Sequence, residues 1–587
     1  MYNMFKLLKE SLKDIKKVHK QVVAFQFIYF FLTGLVFVPI ITGIFNRTIK
    51  SLGYSFLINR DIFKLGYDFR GVIGIVGIAV LSVVIIFIEL GVLVLISEKQ
   101  HFDVEVTLSD ALVTTIARIP KIFGLGVIQT MFLLLFLIPV VDSPLASTIF
   151  ENINVPIWLR LRIVDTNWLS FLYGTLFLVA IYLVLRWIFT IHYVVIENQP
   201  SRKAIKNSQK LTRKNELKII VSLFMFNIVV IGLGVGLIAA LNLIPHFLAN
   251  NINNDLVEKY FMTLSGYLTF GFTLFILPIN ILWITRLFYQ IRGQSGEEIE
   301  DTLTLKRFKI LNRLESNSLN FLSQRKYLLL AVFTMYLSIT FMLNYTATED
   351  VLRWNVEIAA HRGGGIIMPE NSLSSIQSAL DKGVTVMEID VQTTKDGVIV
   401  LNHDPNLQRV AGVSTKVSEL TYEELEQIDI GYQYEENYLK EHVPTLDAVL
   451  SRVKGKARLI IEIKSFSYNH EMIRNLVLLI EEHDMVEQCM IQSFSYQTLK
   501  EVRKLNKGIL LGQILYVIAG NLDSIDVDFY TIKQSMLSDT FIKIAHKKGR
   551  SVWVWTVNDE LNIKDVLKYD VDGIITDYPK RVQKIIG

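Results

Sequence analysis

The chain has a single cysteine, Cys489, among its 587 residues. One thiol excludes an intramolecular disulfide framework and a zinc site built from several cysteines. A strong excess of charge is also lacking, because the formal net charge is only +4. Nucleic-acid-binding domains are usually strongly basic on one face, so we expect no nucleic-acid partner. No Gly-Lys-Ser/Thr follows the glycines after Arg362, which excludes a P-loop there.

Charge is scarce in seven long apolar runs, all of which precede residue 346. A helix needs about 20 residues to cross a hydrocarbon core about 30 Å thick, and each run is long enough. The first run is too long for a signal peptide and no small-residue cleavage site follows it, so we expect an uncleaved anchor. The sequence predicts transmembrane helices near residues 22–45, 72–97, 122–141, 169–196, 219–243, 261–285 and 327–345.

The chain is too long for one hydrophobic core and is expected to form at least two domains. After about residue 345 the long apolar runs give way to short, strand-sized ones. We predict an all-α, multi-pass transmembrane domain of about seven helices over residues 1–345. A linker over 346–356 and a water-solvated α/β domain over 357–587 follow it.

Lysine and arginine in the loops predict the orientation of the membrane domain. The N-terminus and the loops 197–218 and 286–326 are rich in both residues, and seven spans place all three on one side. We therefore expect a cytoplasmic N-terminus and an extracellular C-terminal domain, although the loop 46–71 is also basic and one helix more or fewer reverses the result. Within the spans, Glu89 and Arg186 are expected to pair, with a transport or lipid head-group role as the alternative.

The C-terminal half alternates short apolar runs with helix-length charged stretches, a pattern that indicates parallel β-α-β units. One connection is too short for a parallel crossover, because only QTTKDG separates VMEIDV from VIVLNHD. That pair must be antiparallel, which leaves eight parallel strands and favours a (β/α)₈ barrel; a doubly wound open sheet is the alternative. The apolar runs cover 356–361, 386–391, 398–404, 459–465, 489–494, 509–515, 527–532, 551–557 and 572–577.

Polar side chains stand at the ends of four successive predicted strands. In a barrel these ends meet at one face, where the active site lies. Residues two apart on a strand share a face, so each pair on one strand is expected to converge. The four pairs are His361 with Arg362, Glu388 with Asp390, His403 with Asp404, and Glu462 with Lys464.

These residue types together favour phosphodiester hydrolysis. Three carboxylates within apolar strands are costly to bury without a cation, and oxygen ligands favour Ca²⁺ or Mg²⁺ over zinc. Arg362 and Lys464 beside such an ion would hold a phosphate. Two histidines supply an acid and a base near neutral pH. Each feature alone has a structural explanation, since a lone strand-end histidine or the run Gly363–Gly365 is commonly just part of a turn.

The motifs make the C-terminal half specific. It contains, in order, HRGG, PENS, MEIDVQTTKDG, LNHDPNLQRVAG, VPTLDAVL, IEIKS, QSF, VWTVN and DGIITDYP. This series resembles the glycerophosphodiester phosphodiesterase family over essentially all of 357–587. The N-terminal half is similar, in hydropathy and arrangement, to the multi-span membrane domain of some bacterial members. The resemblance implies a TIM-barrel hydrolase that cleaves glycerophosphodiesters into sn-glycerol 3-phosphate and an alcohol.

The resemblance also implies a role for each motif residue. His361 and His403 form the acid/base pair, and Arg362 holds the phosphate. One divalent cation, Ca²⁺ or Mg²⁺, is the expected cofactor. The remaining residues are the metal ligands Glu388, Asp390 and Glu462, the phosphate-neutralising Lys464, the supporting pair Glu370 and Asn371, and the pocket residues Gln492 and Trp555, of which Trp555 could equally be a core residue.

We expect a membrane enzyme that works at the surface of the lipid bilayer. Its substrate would be a deacylated phospholipid, a lysophospholipid or a glycerophosphate polymer. A phospholipase C- or D-like hydrolase acting on intact or lyso-lipids is one alternative. The other is a membrane transporter or lipid-binding module with a regulatory barrel. The complete set of histidines and carboxylates argues against this second alternative.

Overall fold

The computed structural model describes residues 4–123, 167–248, 254–301, 303–349, 356–364, 368–431, 434, 440–464, 466, 469–516, 518–520 and 524–586. The chain forms two compact units. The first comprises Met1–Leu52 and Leu65–Ala347, and the second comprises Gly53–Lys64 and Thr348–Gly587. The short segment Gly53–Lys64 therefore belongs with the C-terminal half, which the sequence patterns did not predict.

The first unit is helical, as predicted. Five of its described helical stretches are long and apolar enough to cross a membrane: Leu7–Ser51, Phe69–His101, Leu178–Val195, Glu216–Ile244 and Tyr260–Gln294. Its α-helices run over Met4–Leu32, Val38–Ser51, Lys64–Tyr67, Phe69–His101, Leu108–Arg118, Asn167–Trp187, Thr190–Val195, Ser201–Thr212, Glu216–Leu248, Asn254–Gln294, Lys309–Gln324 and Lys326–Glu349.

Two of the seven predicted spans need separate comment. The span predicted near 122–141 lies almost wholly outside the described residues, which stop at 123. The span predicted at 327–345 falls within the helix Lys326–Glu349, which is not one of the five candidates.

The predicted pairing of Glu89 with Arg186 is wrong. Arg186 lies in the last turn of its helix, and its Nη1 is 2.7 Å from Oε1 of Glu216, the first residue of a later helix. Glu89 instead accepts a 3.4 Å hydrogen bond from Nε2 of Gln26. The arginine pairs at a helix end because a carboxylate is available there, which leaves Glu89 to neutral partners.

The second unit contains a closed barrel of eight parallel strands. Strand order around the barrel is β1-β8-β7-β6-β5-β4-β3-β2, and β1 also pairs with β2 through Ala359 and Val386. This closure confirms the predicted TIM barrel and excludes the open sheet. The strands are β1 (Glu357–Ala360), β2 (Val386–Thr393), β3 (Arg458–Ile463), β4 (Cys489–Ser493), β5 (Leu510–Leu515), β6 (Phe529–Lys533), β7 (Ser551–Trp555) and β8 (Gly573–Thr576).

The predicted antiparallel excursion is also confirmed. After β2 the chain turns at Gly397, where φ is +85°, and returns as the strand Ile399–Leu401. This strand pairs antiparallel with β2, with Val391 opposite Leu401. The returning strand runs back from the end of β2, so that the backbone N–H of Asn402 donates to the carbonyl oxygen of Asp390 at 3.1 Å and His403 follows beside it.

Amphipathic helices cover the barrel. In the helix His470–Glu482, for example, the residues Met472, Ile473, Leu476 and Ile480 are buried, at the spacing of one helical face. Their side chains join a core that lies between the strands and the helix layer. The crossover helices are Leu373–Asp381, Leu446–Val453, His470–Glu482, Tyr496–Leu505, Asp539–Lys547, Glu560–Val566 and Pro579–Ile586.

The connection between β5 and β6 differs from the others. Its described residues contain the short strand Ile518–Gly520, which pairs antiparallel with the strand Phe56–Ile58 of the segment Gly53–Lys64. The barrel unit thus includes a strand that precedes it in the chain by about 300 residues.

Candidate active site

The interior of the barrel is built in layers because alternate residues of each strand face inward. The lower layer is apolar and contains Ala359, Val386, Ile460, Met490, Phe529, Trp553 and Ile575. Two residues further along these strands the side chains become polar or reactive: His361, Glu388, Glu462, Gln492, Thr531, Trp555 and Asp577. A site at the C-terminal face of the barrel therefore follows from the strand period and from where the apolar runs end.

Three acidic residues meet here, two in this upper layer and Asp390 two residues further along β2. One carboxylate oxygen from each of Glu388, Asp390 and Glu462 lies within 4.8 Å of the others, and all three residues are buried. Nζ of Lys464 is 2.6 Å from Oδ1 of Asp390 and 2.7 Å from Oε1 of Glu462. The predicted ligand set is thus brought together, with one lysine among three carboxylates.

The pKa values show how the charges balance. Burial, and then the charge of Asp390, raise the pKa of Glu388 to about 7. Burial alone would raise the pKa of Asp390 too, but Lys464, His403 and Arg362 hold it well below its usual range. Lys464 has a raised pKa because the three carboxylates outweigh its burial, so it stays charged. The cluster therefore has more negative charge than Lys464 neutralises.

Arg362 connects the first strand to this cluster. Its backbone N–H donates to Oε2 of Glu388 at 3.0 Å, in a left-handed conformation with φ of +54°. Its guanidinium Nη1 donates to both oxygens of Glu370, at 2.8 and 2.9 Å. Glu370 thus fixes the direction of the arginine side chain next to the acidic cluster.

Asn371 supports the cluster through Asp390. Its Nδ2 donates to Oδ2 of Asp390 at 2.9 Å, and its Oδ1 accepts from the backbone N–H of Asp390 at 3.1 Å. Its own backbone N–H donates to the carbonyl of Arg362 at 2.8 Å. The PENS motif therefore touches both the end of β1 and the end of β2.

His361 is held by the last strand of the barrel. Its Nδ1 is 2.6 Å from Oδ1 of Asp577, whose Oδ2 accepts from Nδ2 of Asn558 at 2.6 Å. Burial alone would lower the pKa of His361, but the hydrogen bond to Asp577 and the charge of Glu388 outweigh it and raise that pKa. The ring is fixed at Nδ1, which leaves Nε2 for another partner.

His403 is held by its own neighbour and a chain of ion pairs. Its Nδ1 is 2.8 Å from Oδ1 of Asp404, whose Oδ2 accepts from Nε of Arg409 at 2.7 Å. Arg409 in turn donates to both oxygens of Glu370, at 2.6 and 2.7 Å. Glu370 thus links the two arginines and joins the His403 side of the mouth to Arg362.

Two further predicted residues lie on the barrel wall. Gln492 is buried; its Nε2 donates to Oε1 of Glu388 at 3.4 Å, and its Oε1 accepts from Oγ1 of Thr531 at 2.8 Å. Trp555 is half-buried, with its ring edge-on to Phe494 at a centroid distance of 6.0 Å. The ring of Tyr516 is also near Phe494, with a centroid distance of 5.9 Å. We call Phe494, Tyr516 and Trp555 the aromatic mouth.

Three residues that position the histidines were not assigned a role from the sequence: Asp577, Asn558 and Arg409. All three stand in or next to recognised motifs, in DGIITDYP, VWTVN and LNHDPNLQRVAG. The sequence does show that Asp577 directly follows the last strand, where a carboxylate can reach the site. That position had no meaning without the closure that pairs β8 with β1 through Thr576 and Ala360.

The comparisons with known proteins agree with this architecture. The family described as the membrane domain of glycerophosphoryl diester phosphodiesterase matches residues 8–344. The glycerophosphoryl diester phosphodiesterase family itself matches residues 361–581. The chain belongs to the glycerophosphodiester phosphodiesterase family. It is therefore an enzyme, a phosphoric diester hydrolase that acts on glycerophosphodiesters, with a membrane domain before its barrel.

Relatives of the family cover the barrel half. A glycerophosphodiester phosphodiesterase of Caldanaerobacter subterraneus is 30% identical over 237 residues, which is 39% of this chain and 97% of that protein. One of Bacillus altitudinis is 31% identical over 238 residues, again 39% of this chain and 97% of that protein. Among solved structures, an Oleispira antarctica phosphodiesterase in complex with the product sn-glycerol-3-phosphate is 26% identical, with a TM-score of 0.37 over 41% of this chain and 98% of its own.

Proposed function

We propose that the barrel hydrolyses glycerophosphodiesters with the help of one bound divalent cation and releases sn-glycerol 3-phosphate and an alcohol. The single observation that carries the proposal is the mouth of the barrel. Three buried carboxylates and two histidines, each histidine held at Nδ1 by a carboxylate, lie at the ends of neighbouring strands.

Glu388, Asp390 and Glu462 fit a hard divalent cation. All donors are carboxylate oxygens, the ligand type that Ca²⁺ and Mg²⁺ prefer. Lys464 balances one of the three negative charges, while burial and the neighbouring Asp390 raise the pKa of Glu388 to about 7. A bound ion would supply further positive charge and would polarise the phosphate oxygens of the substrate. Ca²⁺ and Mg²⁺ are both retained as candidates.

The two histidines would handle the protons. One histidine takes a proton from water while the water oxygen forms its bond to phosphorus, and the other gives a proton to the alcohol oxygen as its bond to phosphorus breaks. The hydrogen bonds at Nδ1 of His361 and of His403 leave Nε2 of each ring for this transfer. Asp577 also stabilises the protonated ring of His361, because it places a negative charge beside that ring.

Arg362 and Lys464 would bind the phosphate. Glu370 holds the guanidinium of Arg362 from one side, and burial of that guanidinium strengthens its attraction to an anion. Lys464 has three donors and uses contacts to Asp390 and Glu462, so it keeps a positive charge next to the expected phosphate. Gln492 would help to orient Glu388, and Trp555 would pack against the glycerol moiety.

We infer that the reaction takes place at a lipid bilayer, and the membrane domain that precedes the barrel supports this location. We infer that the N-terminus is cytoplasmic and the barrel extracellular, and the distribution of lysine and arginine supports this orientation. Diesters derived from lipids or from a glycerophosphate polymer would then be the natural substrates. The identity of the alcohol is left to the substrate assay.

The test uses the full-length protein in detergent with glycerophosphocholine, and measures release of sn-glycerol 3-phosphate. We expect activity that EDTA abolishes and that Ca²⁺ or Mg²⁺ restores. Glu462→Gln should lower kcat by at least about a hundredfold, as expected when a metal ligand or its charge is lost. The matched control is Glu482→Gln, at an exposed residue that ends a barrel helix, and it should keep the full rate.

Three results would contradict the proposal in different ways. A wild-type protein that leaves glycerophosphodiesters intact with either ion would rule out the reaction. Full activity in EDTA would rule out the metal. A cyclic phosphate product would show a phospholipase C-like lyase instead, and release of a free head-group alcohol from intact lipid would show a phospholipase D-like enzyme.

A further inference from the structure

The segment Gly53–Lys64 is part of the barrel unit although it lies between two helices of the helical unit, Val38–Ser51 and Phe69–His101. Its strand Phe56–Ile58 pairs antiparallel with Ile518–Gly520 in the β5–β6 connection. We call residues 53–64 the docking segment. The pairing adds backbone hydrogen bonds, which hold an otherwise irregular connection in one register.

Gly520 permits this pairing. Its φ is +100°, and a Cβ at this position would lie 2.7 Å from the carbonyl oxygen of Ser55 and 2.8 Å from Cα of Phe56. Both atoms belong to the backbone and cannot rotate away. A residue without a side chain is therefore required for the two strands to approach so closely.

The docking segment also buries apolar side chains in the barrel unit. Ile58 is 2% exposed and belongs to the main core of the barrel, and Phe56 packs against the same core. The ring of Phe56 meets Tyr496 edge-on at a centroid distance of 5.3 Å. Burial of this kind stabilises the contact far more than a polar loop touching a surface would.

Asn59 ends the segment's strand and reaches the mouth of the barrel. Its side chain is buried, and its backbone is left-handed with φ of +52°. Nδ2 donates to the carbonyl oxygen of Ile514 at 2.7 Å, and Oδ1 accepts from the backbone N–H of Tyr516 at 3.0 Å. Nδ2 also lies 3.4 Å from the carbonyl oxygen of Phe494. One amide thus joins the ends of β4 and β5, as an extra strand residue would.

The two residues held in this way belong to the aromatic mouth. Phe494 and Tyr516 contact each other, and Phe494 contacts Trp555 at the end of β7. Trp555 is in the same inward-facing layer as Gln492 and Glu462. The position of the aromatic mouth relative to the acidic cluster therefore depends on Asn59.

We propose that Asn59 is a positioning residue for substrate binding: the first loop of the membrane domain completes the barrel by holding the aromatic mouth against the organic part of the glycerophosphodiester. This inference rests on the proposed function for the identity of the substrate. It further requires the docking segment and the barrel to lie on the same side of the bilayer. The barrel over 357–587 by itself would lack part of its mouth.

The docking itself is tested by cross-linking, which does not depend on activity. In a Cys489→Ala background, Ile58→Cys and Ile518→Cys stand opposite each other in the register. Facing residues of an antiparallel pair have Cα atoms about 4.5–5.5 Å apart, within the range of a disulfide. We expect this pair to oxidise in membranes and to give a disulfide-linked peptide by mass spectrometry. The control pair, Ile58→Cys with Lys564→Cys on a different barrel helix, should not cross-link.

The positioning role is tested by kinetics of the full-length protein on glycerophosphocholine. Asn59→Gly removes the amide without straining a left-handed backbone, and we expect KM to rise about tenfold with little change in kcat, as for one lost hydrogen-bonding group. Asn59→Asp keeps the acceptor for Tyr516 but loses the donor to Ile514. Its KM should lie between that of the wild type and that of Asn59→Gly. Asp61→Asn alters an exposed residue of the same segment, which pairs with Lys64, and should leave both constants unchanged.

The outcomes separate the inferences. No cross-link at the 58–518 pair overturns the docking. A cross-link with an unchanged KM in Asn59→Gly overturns the positioning role, and so does a fall in kcat alone. A cross-link in the double-cysteine protein, together with a wild-type protein that does not hydrolyse glycerophosphodiesters, leaves the docking intact and overturns the proposed function.

Discussion

At the scale of single residues, the proposed chemistry depends on partners that fix the two histidines. His361 and His403 each use Nδ1 for a carboxylate, Asp577 in one case and Asp404 in the other. Each carboxylate selects one tautomer of its histidine and fixes the orientation of the ring. A histidine without such a partner would rotate and would offer either nitrogen to the substrate.

The first prediction concerns Asp577. Asp577→Asn keeps the shape of the side chain but removes its charge, so the tautomer of His361 is no longer selected. We expect kcat on glycerophosphocholine to fall by about a hundredfold or more, within the range that a positioned acid or base contributes. Asp565→Asn is the control and should keep the wild-type kcat. Asp565 is an exposed residue that forms a surface ion pair with Lys568. An Asp577→Asn enzyme with unchanged kcat would contradict the assigned role of His361.

The second prediction concerns the only thiol. Cys489 begins β4 and is 1% exposed, and burial raises its pKa to about 12. At pH 8 the folded protein should therefore contain almost no thiolate at this position, and thiol reagents should react only after unfolding. The measurement is the labelling rate with a maleimide, with and without denaturant. Rapid labelling of the folded enzyme would show that β4 opens or that the thiol is accessible.

At the scale of elements, the excursion after β2 is tied to the first strand by charge. Arg409, in the short helix Gln408–Ala411, bridges Asp404 and Glu370, and Glu370 also holds Arg362. The pKa of Asp404 reflects these ion pairs. The pKa of Asp404 is held below its usual range, because its bonds to His403 and Arg409 outweigh its burial. This ion-pair chain sets the distance between the His403 side of the mouth and Arg362.

The third prediction concerns that bridge. Arg409→Gln breaks the ion pairs to Asp404 and Glu370. We expect kcat/KM to fall about tenfold to a hundredfold, which is the free energy of about one hydrogen bond to a charged group. Arg409→Lys should restore only part of the activity, since a lysine cannot bind a carboxylate with two parallel N–H groups. Lys416→Gln is the control for charge loss. Lys416 lies seven residues after Arg409 and pairs with the exposed Glu419. Equal activity of the lysine and arginine enzymes would show that the bidentate geometry is irrelevant.

At the scale of the whole molecule, the chain passes between the helical unit and the barrel unit three times, after Leu52, after Lys64 and after Ala347, and the docking segment Gly53–Lys64 belongs to the barrel unit. A chain that crosses the bilayer must place each loop on a definite side. The docking segment follows the first candidate span and precedes the second. If the N-terminus is cytoplasmic and Leu7–Ser51 crosses once, the segment is extracellular, and an odd total number of spans, such as the predicted seven, places the barrel on the same side.

The fourth prediction tests this orientation. In a Cys489→Ala background, a membrane-impermeant maleimide added to intact cells should label Lys564→Cys, an exposed position on a barrel helix. It should not label Lys9→Cys, near the N-terminus, until the cells are lysed. The reverse pattern would place the barrel in the cytoplasm and would show that the domain is inverted. Protection of both positions until lysis would show that the number of spans before the barrel was misjudged.

Several features could be predicted from the sequence because they depend on local pattern. Long uncharged runs indicate membrane helices, whatever their neighbours are. The strand period places Glu388 beside Asp390 and Glu462 beside Lys464, and a crossover too short for parallel strands indicates the hairpin at Gly397. The prediction for Arg186 failed for the opposite reason. Arg186 pairs with Glu216 because the start of a later helix packs close to the end of its own helix. Hydropathy along the chain does not show which helix ends lie next to each other.

The sequence by itself determined the two-part architecture, the barrel and the residues at its mouth, because strand period and apolar run length are properties of neighbouring residues. Only the tertiary structure decided which distant groups complete the site. Closure of the barrel brings Asp577 to His361 across 216 residues, and the docking segment brings Asn59 to Ile514 across 455. Such contacts arise from how strands close and which loop fills an open edge, and no local pattern records them.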